Sequence, residues 1–180
     1  MSVVGIKELL QRVKKDKLFD NLSDRELNNP EGTGFDLRVG EVYKLTSGGF
    51  LGVENRDTSS TELIAKYEEG KENSIIIKPG DYFLIKTIEN INNPKDLAPY
   101  FKHRSNLFRS GVVVHTAHCG QGYKGPLLFG IENRGKFDFK LEMGARVIHV
   151  VFHKIEGEGI QYRGQWQGGR VSTDGMEKQI

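Results

Sequence analysis

The segment His103–Gly111 carries the side chains best suited to bind phosphate. Two arginines, Arg104 and Arg109, and two serines, Ser105 and Ser110, lie within seven residues. A guanidinium group donates two parallel hydrogen bonds to phosphate oxygens, and a serine hydroxyl donates one more. The segment therefore predicts a phosphate site, although a solvated polar loop with a helical turn has the same composition.

A second group of chemically competent side chains consists of His115, His118 and Cys119. Zinc sites need three or four ligands, and here the third candidate ligand is adjacent in sequence to the second, so we predict no metal site. The chain has one cysteine and lacks the His-x-Glu and Pro-Cys-x-x-Cys pattern of zinc deaminases. Any deamination would therefore proceed without zinc. A nucleophilic role for Cys119 rests on its adjacency to His118 alone.

The turn that follows surrounds Tyr123 with Gly120, Gly122 and Gly125. Glycine lets a backbone approach a ligand closely, but an ordinary hairpin has the same pattern. No glycine-rich nucleotide-binding motif of the Walker A or dinucleotide type is present.

Short β-prone runs bounded by turn residues would position these groups. Such runs indicate a β-sandwich or barrel, and apolar spacing within Ile6–Phe19 predicts one N-terminal amphipathic helix. The polar insertion Arg56–Asn73 suggests a helical stretch at Glu62–Glu69. The predicted strands are Phe35–Val39, Val42–Leu45, Ser74–Ile77, Tyr82–Ile88, Val112–His115, Leu127–Ile131, Phe137–Leu141 and Val147–His153.

Composition limits the classes of function. The 180 residues include 26 basic and 24 acidic side chains, a net charge of +2 that does not indicate a nucleic-acid-binding protein. No apolar run approaches the roughly 20 residues that span a bilayer, and the N-terminus does not look like a signal peptide. We expect a cytoplasmic protein with one domain, residues 1–156, and a tail, residues 157–180.

The tail contains two aromatic residues, Tyr162 and Trp166, which suggest that it becomes ordered over a ligand or a neighbouring subunit. A disordered extension is the alternative.

Seven segments in order resemble the dCTP deaminase/dUTPase superfamily, and dCTP deaminases most closely. The central one, Arg104–Gly111, is similar to the Arg-Ser-Ser-Leu-x-Arg-x-Gly motif of that family. The others are Gly32–Gly40 with its Asp-x-Arg-x-Gly core, Ile77–Leu84, His115–His118, Gly122–Gly125, Leu141–Phe152 and Gln165–Gly168. The resemblance implies a distorted dUTPase-like β-barrel or jelly-roll, a homotrimer with active sites at subunit interfaces, and a triphosphate bound with Mg²⁺.

The resemblance also implies the roles of individual residues. Arg104, Ser105 and Arg109 match positions that hold phosphates, and Asn106 stands where a second serine is usual. Asp36 and Arg38 match a strand motif whose role is structural. The remaining nucleotide-binding candidates are Tyr123 in the turn and Gln165 and Gln167 in the tail.

Two departures from the family concern the catalytic groups. The glutamate that acts as general base in the deaminases aligns with Gly130, and the aspartate that activates water in dUTPases aligns with Gly120 or Gln121. Glycine cannot accept a proton. Glu132 lies two residues further, about 7 Å along the same face of a strand, and is a displaced base candidate.

Histidine supplies alternative bases, because imidazole ordinarily titrates near neutral pH; the candidates are His118 and His115. The leading hypothesis is an enzyme of the dCTP deaminase type that acts on a pyrimidine deoxynucleotide without zinc. The alternatives are a nucleotide-binding or regulatory member of the fold that has lost catalysis, and a dUTPase.

Overall fold

The computed structural model describes residues 2–157 and 159–180. Its three helices are α1 (Ile6–Asp16), α2 (Asp24–Asn28) and α3 (Ser105–Arg109). The strands are β1 (Phe19–Asp20), β2 (Gly34–Leu45), β3 (Phe50–Leu51), β4 (Asn55–Asp57), β5 (Thr61–Lys66), β6 (Ser74–Ile77), β7 (Tyr82–Asn92), β8 (Leu97–His103), β9 (Val112–His115), β10 (Lys124–Asn133), β11 (Phe139–Glu142), β12 (Arg146–Lys154) and β13 (Glu177–Lys178).

The main sheet curls into a nearly closed barrel. Its strands follow the order β8-β12-β2-β7-β10-β9, with β1 on β7 and β5 on β2. Strand β2 pairs with β12 along its first half and with β7 and β5 along its second half. The pairing shifts register between Val39 and Glu41, and the glycine between them, Gly40, approaches the backbone of Ile88. A bulge at a glycine bends a strand, which allows β2 to turn the corner of the barrel.

The barrel encloses one apolar core. Phe35, Phe152, Ile85 and Ile131 are almost completely buried. Helix α1 covers one end of the barrel and inserts Leu9, which is 0% exposed. The predicted all-β barrel with a short N-terminal helix is therefore confirmed.

Three local predictions were wrong. The helix expected at Glu62–Glu69 is absent: Thr61–Lys66 is strand β5, because its backbone completes the hydrogen bonding of β2. The strand β8 was not predicted, since Pro99 lies within it; β8 is an edge strand, where proline is tolerated. The two strands expected within Phe35–Leu45 form the single strand β2.

The C-terminal tail packs on its own chain. Strand β13 pairs with β4, and the backbone of Tyr162 donates to the Gln121 carbonyl at 2.6 Å. In the structure, the described part of the tail thus contacts β4 and the turn at Gln121. Within the described residues, no helix is both long and apolar enough to cross a membrane.

Candidate functional site

The arginine-containing segment forms the junction between β8 and β9. Arg104 precedes α3, and its backbone nitrogen donates to the Val147 carbonyl at 3.0 Å. Leu107 is buried and anchors the short helix, so that Ser105, Asn106 and Arg109 are left exposed on its outer side. The fold thus presents three of the four phosphate-binding candidates of this segment to solvent.

The fourth candidate, Arg104, is held by a buried carboxylate. Asp36, which is 3% exposed, forms an ion pair with Arg104 and lies 3.0 Å from an Arg146 nitrogen. His149 Nδ1 is 2.8 Å from the other oxygen of Asp36. Burial and the nearby charges of Arg146 and Arg25 lower the pKa of Arg104.

An open pocket of about 310 Å³ adjoins this cluster. It is lined by Glu31, Gly32, Asp36, His103, Arg104, Ser105 and His149. The other residue of the Asp-x-Arg motif, Arg38, is not part of the pocket: its Nε donates to the buried Glu89 at 2.7 Å. Asp36 therefore orients the arginine cluster, whereas Arg38 ties β2 to β7.

The displaced carboxylate Glu132 lies beside His115. Glu132 Oε2 is 3.1 Å from His115 Nε2 and accepts a hydrogen bond from Arg134 Nε at 2.9 Å. The contacts with His115 and then Arg134 lower the pKa of Glu132. The carboxylate is therefore ionised at neutral pH and orients the imidazole. This pairing of a histidine with an orienting carboxylate is the arrangement used in general base catalysis.

Tyr82 fills the space beside Gly130. A Cβ atom added to Gly130 would lie 2.2 Å from the Tyr82 hydroxyl oxygen. The Tyr82 ring also packs against His115, with 5.8 Å between ring centroids. A glutamate side chain at residue 130 is incompatible with this position of Tyr82.

Tyr162 fills the corresponding space beside Gly120. A Cβ atom at Gly120 would lie 2.9 Å from the Tyr162 ring. Tyr162 belongs to the tail and contacts Tyr123 edge to face, with 5.6 Å between ring centroids. At Gly130, and at Gly120 as one of the two residues that align with the dUTPase aspartate, this chain thus has a glycine beside a tyrosine ring.

His118 lines a different cavity. The cavity measures about 170 Å³, and Glu132 and His115 are not among its lining residues. Its apolar walls include Phe101 and Phe129, and the tail contributes Tyr162, Trp166 and Arg170. The structure therefore pairs Glu132 with His115 and not with the other predicted catalytic residue, His118.

Tyr123 and Cys119 serve the structure of this turn. The Tyr123 hydroxyl donates to the Pro126 carbonyl at 2.6 Å, and burial raises the pKa of Tyr123 to about 12. Burial also raises the pKa of Cys119 to about 12, so the thiol is not a nucleophile at neutral pH.

In residues 2–157 and 159–180, no group of three His, Cys, Asp or Glu side chains has the arrangement of a metal site.

The two tail glutamines hold the tail against the barrel. Gln167 accepts from the Lys124 backbone nitrogen at 3.0 Å, and Gln165 accepts from Arg56 at 2.8 Å. The Arg56 guanidinium also stacks on Trp166 at 4.4 Å from the ring centroid. Arg56 and Tyr82 were not predicted as site residues: Arg56 lies in the polar insertion, and Tyr82 lies in the family-like segment Ile77–Leu84, whose motif assigns it no role.

The fold is a β-barrel with an open polar pocket beside Arg104 and Asp36, and it is the fold of known nucleotide enzymes. Among solved structures, the chain is similar to the 2'-deoxycytidine 5'-triphosphate deaminase of Agrobacterium tumefaciens, with a TM-score of 0.62 and 14% identity over 83% of this chain. The chain spans 46% of that enzyme. It is also similar to a mutant dUTPase from phage phi11 of S. aureus that coordinates a structural Mg(II) ion, with a TM-score of 0.51 and 14% identity, covering 80% of this chain and 94% of that one.

Sequence comparison identifies the family. The family model described as dCTP deaminase-like matches residues 3–155. Two relatives are a probable deoxyuridine 5'-triphosphate nucleotidohydrolase of Methanothermobacter thermautotrophicus, 32% identical over 84% of this chain and 93% of the relative, and a dCTP deaminase of Pyrococcus abyssi, 32% identical over 88% and 91%. The chain belongs to the dCTP deaminase-like family, a family of nucleotide metabolism.

Proposed function

We propose that this protein binds a pyrimidine deoxynucleoside triphosphate with its Mg²⁺ and deaminates it hydrolytically without zinc, with dCTP as the first candidate substrate. The observation that carries the proposal is the contact between Glu132 and His115 on the face of β10 that also carries Gly130. This contact supplies a base and an orienting group close to the position from which the family's glutamate is missing.

The proposed reaction follows from the chemistry of the base. His115 accepts a proton from water as the water oxygen attacks C4 of cytosine, and Glu132 stabilises the imidazolium that forms. The C4–N bond then breaks, and the amino group leaves as ammonia after it takes up a proton. One dCTP and one water thus give one dUTP and one ammonia.

The phosphates would bind at the arginine cluster. Arg109, Ser105 and Asn106 are exposed on α3, and Arg104 lies at the adjoining pocket. Because Mg²⁺ arrives bound to the triphosphate, this arrangement needs no separate protein site for the metal. The family resemblance supports a homotrimer with sites between subunits, for which light scattering should give three times the 20.3 kDa mass of the chain.

The test is an assay with two matched pairs of variants. Product formation from dCTP with Mg²⁺ should fall about 100-fold or more in Glu132→Gln and His115→Asn, since a general base contributes about 10²- to 10⁴-fold. Glu142→Gln, which changes an exposed glutamate on β11, and His118→Asn should keep most of the activity. Full activity in Glu132→Gln and His115→Asn would reject this pair as the catalytic groups.

A second candidate function is nucleotide binding without catalysis. It is favoured by Tyr82, whose hydroxyl occupies the space that a carboxylate at residue 130 would need. Tight binding of a deoxynucleoside triphosphate without product would support this regulatory alternative. A dUTPase is less well supported, because neither Gly120 nor Gln121 is a carboxylate and the Tyr162 ring lies close to Gly120.

A further inference from the structure

The packing of Tyr82, and not the backbone conformation of Gly130, limits the size of a side chain at residue 130. It lies within β10, opposite Leu84 on one side and His115 on the other, and it is not among the glycines with positive φ. Any side chain would fit the backbone conformation of residue 130. The Tyr82 side chain crowds it, with the hydroxyl oxygen 2.2 Å and the ring carbon Cζ 2.8 Å from the Cβ position.

The Tyr82 hydroxyl is available to a ligand. Tyr82 is 39% exposed, and its hydroxyl has no hydrogen-bond partner among the residues that the structure describes. Burial of the ring, and then the charge of Glu132, raise the pKa of Tyr82. The phenol therefore keeps its proton at neutral pH and can donate a hydrogen bond.

A phenol and a carboxylate form hydrogen bonds with different groups of a ligand. An ionised carboxylate only accepts hydrogen bonds, whereas a protonated phenol also donates one. Pyrimidines offer acceptors on the edge that bears C4: N3 in cytosine and O4 in uracil. Tyr82 lies opposite Glu132 in the pairing of β7 with β10, so this face of the sheet carries a hydrogen-bond donor and an acceptor.

We infer that Tyr82 is a specificity-determining residue whose hydroxyl donates a hydrogen bond to an acceptor on the edge of the pyrimidine. The inference rests on the proposed function, which places the base against this face of β10. The simpler alternative is that Tyr82 only fills space, in which case the hydroxyl has no role.

The Tyr82→Phe variant separates these roles, because it keeps the ring and removes only the hydroxyl. The affinities of dCTP, dUTP and inorganic tripolyphosphate should be measured by calorimetry for the wild type and for this variant. Tyr100→Phe is the matched control, since Tyr100 is an exposed tyrosine on the edge strand β8.

We expect Tyr82→Phe to weaken dCTP, dUTP or both about 5- to 10-fold, which is the net effect of one lost hydrogen bond. Loss confined to dCTP would assign N3 as the acceptor, and loss confined to dUTP would assign O4. Tripolyphosphate should bind both proteins equally, and Tyr100→Phe should behave as the wild type does.

Unchanged nucleotide affinities in Tyr82→Phe would overturn the inference, as would an equal loss of tripolyphosphate affinity. A wild-type protein that binds no nucleotide would reject both the inference and the proposed function. Binding that depends on Tyr82 without any deamination would reject only the proposed reaction, and deamination with unchanged Tyr82→Phe affinities would reject only the inference.

Discussion

At the scale of single residues, two tyrosine rings occupy the space beside two glycines that align with carboxylates of the family. Tyr82 covers Gly130 and Tyr162 covers Gly120. The absence of the carboxylates is visible in the sequence once the family motifs are aligned. The positions of the tyrosine rings cannot be predicted from the sequence. Tyr82 lies 48 residues before Gly130 and contacts it only because β7 pairs with β10. Register, which depends on the whole sheet, decides this contact.

The contact between Tyr82 and Gly130 makes a prediction about stability. Gly130→Ala should lower the free energy of unfolding by about 1 to 3 kcal/mol, because the new methyl group overpacks against the tyrosine. In a Tyr82→Ala background the same change should cost much less. A double-mutant cycle followed by denaturant unfolding measures the difference, and additive effects would contradict the packing described here.

A second prediction at this scale concerns pH. Burial opposes ionisation of Glu41, but hydrogen bonds from Lys86, Tyr43 and Lys66 outweigh it and lower the pKa of Glu41 to about 2. Because the folded pKa lies below the ordinary value of 4.5, this stabilisation is present above that value and is lost as pH falls towards 2.

The free energy of unfolding should therefore fall by about 2 to 3 kcal/mol across this pH range because of Glu41 alone. Glu41→Gln should remove that part of the pH dependence in denaturant titrations. Glu62→Gln, which changes an exposed glutamate on the neighbouring strand β5, should leave it. The same pH dependence in both variants would show that another group is responsible.

At the scale of elements, the strands β3 and β4 form a platform for the tail. Arg56 on β4 binds Glu177 at 2.6 Å and stacks on Trp166, and Thr58 donates its backbone hydrogen to Thr173 at 2.9 Å. Sequence patterns predicted that a tail with two aromatic residues would order. They did not show where, since the insertion that receives it has no apolar periodicity and was expected to be partly helical.

The platform predicts the behaviour of an Arg56→Ala variant. Loss of the ion pair and of the stacking contact should release the tail, which would red-shift the fluorescence of the single tryptophan and speed proteolysis after residue 155. The barrel should keep its unfolding midpoint. Arg163→Ala, at an exposed position of the tail, is the control, and equal protease sensitivity in the two variants would argue against the platform.

At the scale of the whole molecule, the proposed function places phosphate binding and chemistry on different parts of the barrel. The arginine cluster lies where β8 gives way to α3, whereas Glu132 and His115 lie on β10 and β9. The motif order in the sequence was sufficient to predict the barrel. It was not sufficient to predict that Glu132 pairs with His115, because that depends on the register of β9 against β10.

This separation predicts selective loss of phosphate affinity in Arg109→Ala. Affinity for dCTP and for tripolyphosphate should both fall about 10- to 100-fold, as expected for a lost charge-assisted hydrogen bond. Lys7→Ala, at an exposed position of α1, should bind as the wild type does. Retention of both affinities in Arg109→Ala would show that phosphate binds elsewhere.

The most direct test of the proposed chemistry is incubation with dCTP and Mg²⁺ in water enriched in ¹⁸O, followed by mass spectrometry of the products. Hydrolytic deamination predicts dUTP that carries one ¹⁸O on the base, together with released ammonia. Label on phosphate alone would mean that the enzyme cleaves the triphosphate instead. Bound but unchanged dCTP would contradict the catalytic proposal and leave nucleotide binding as the function.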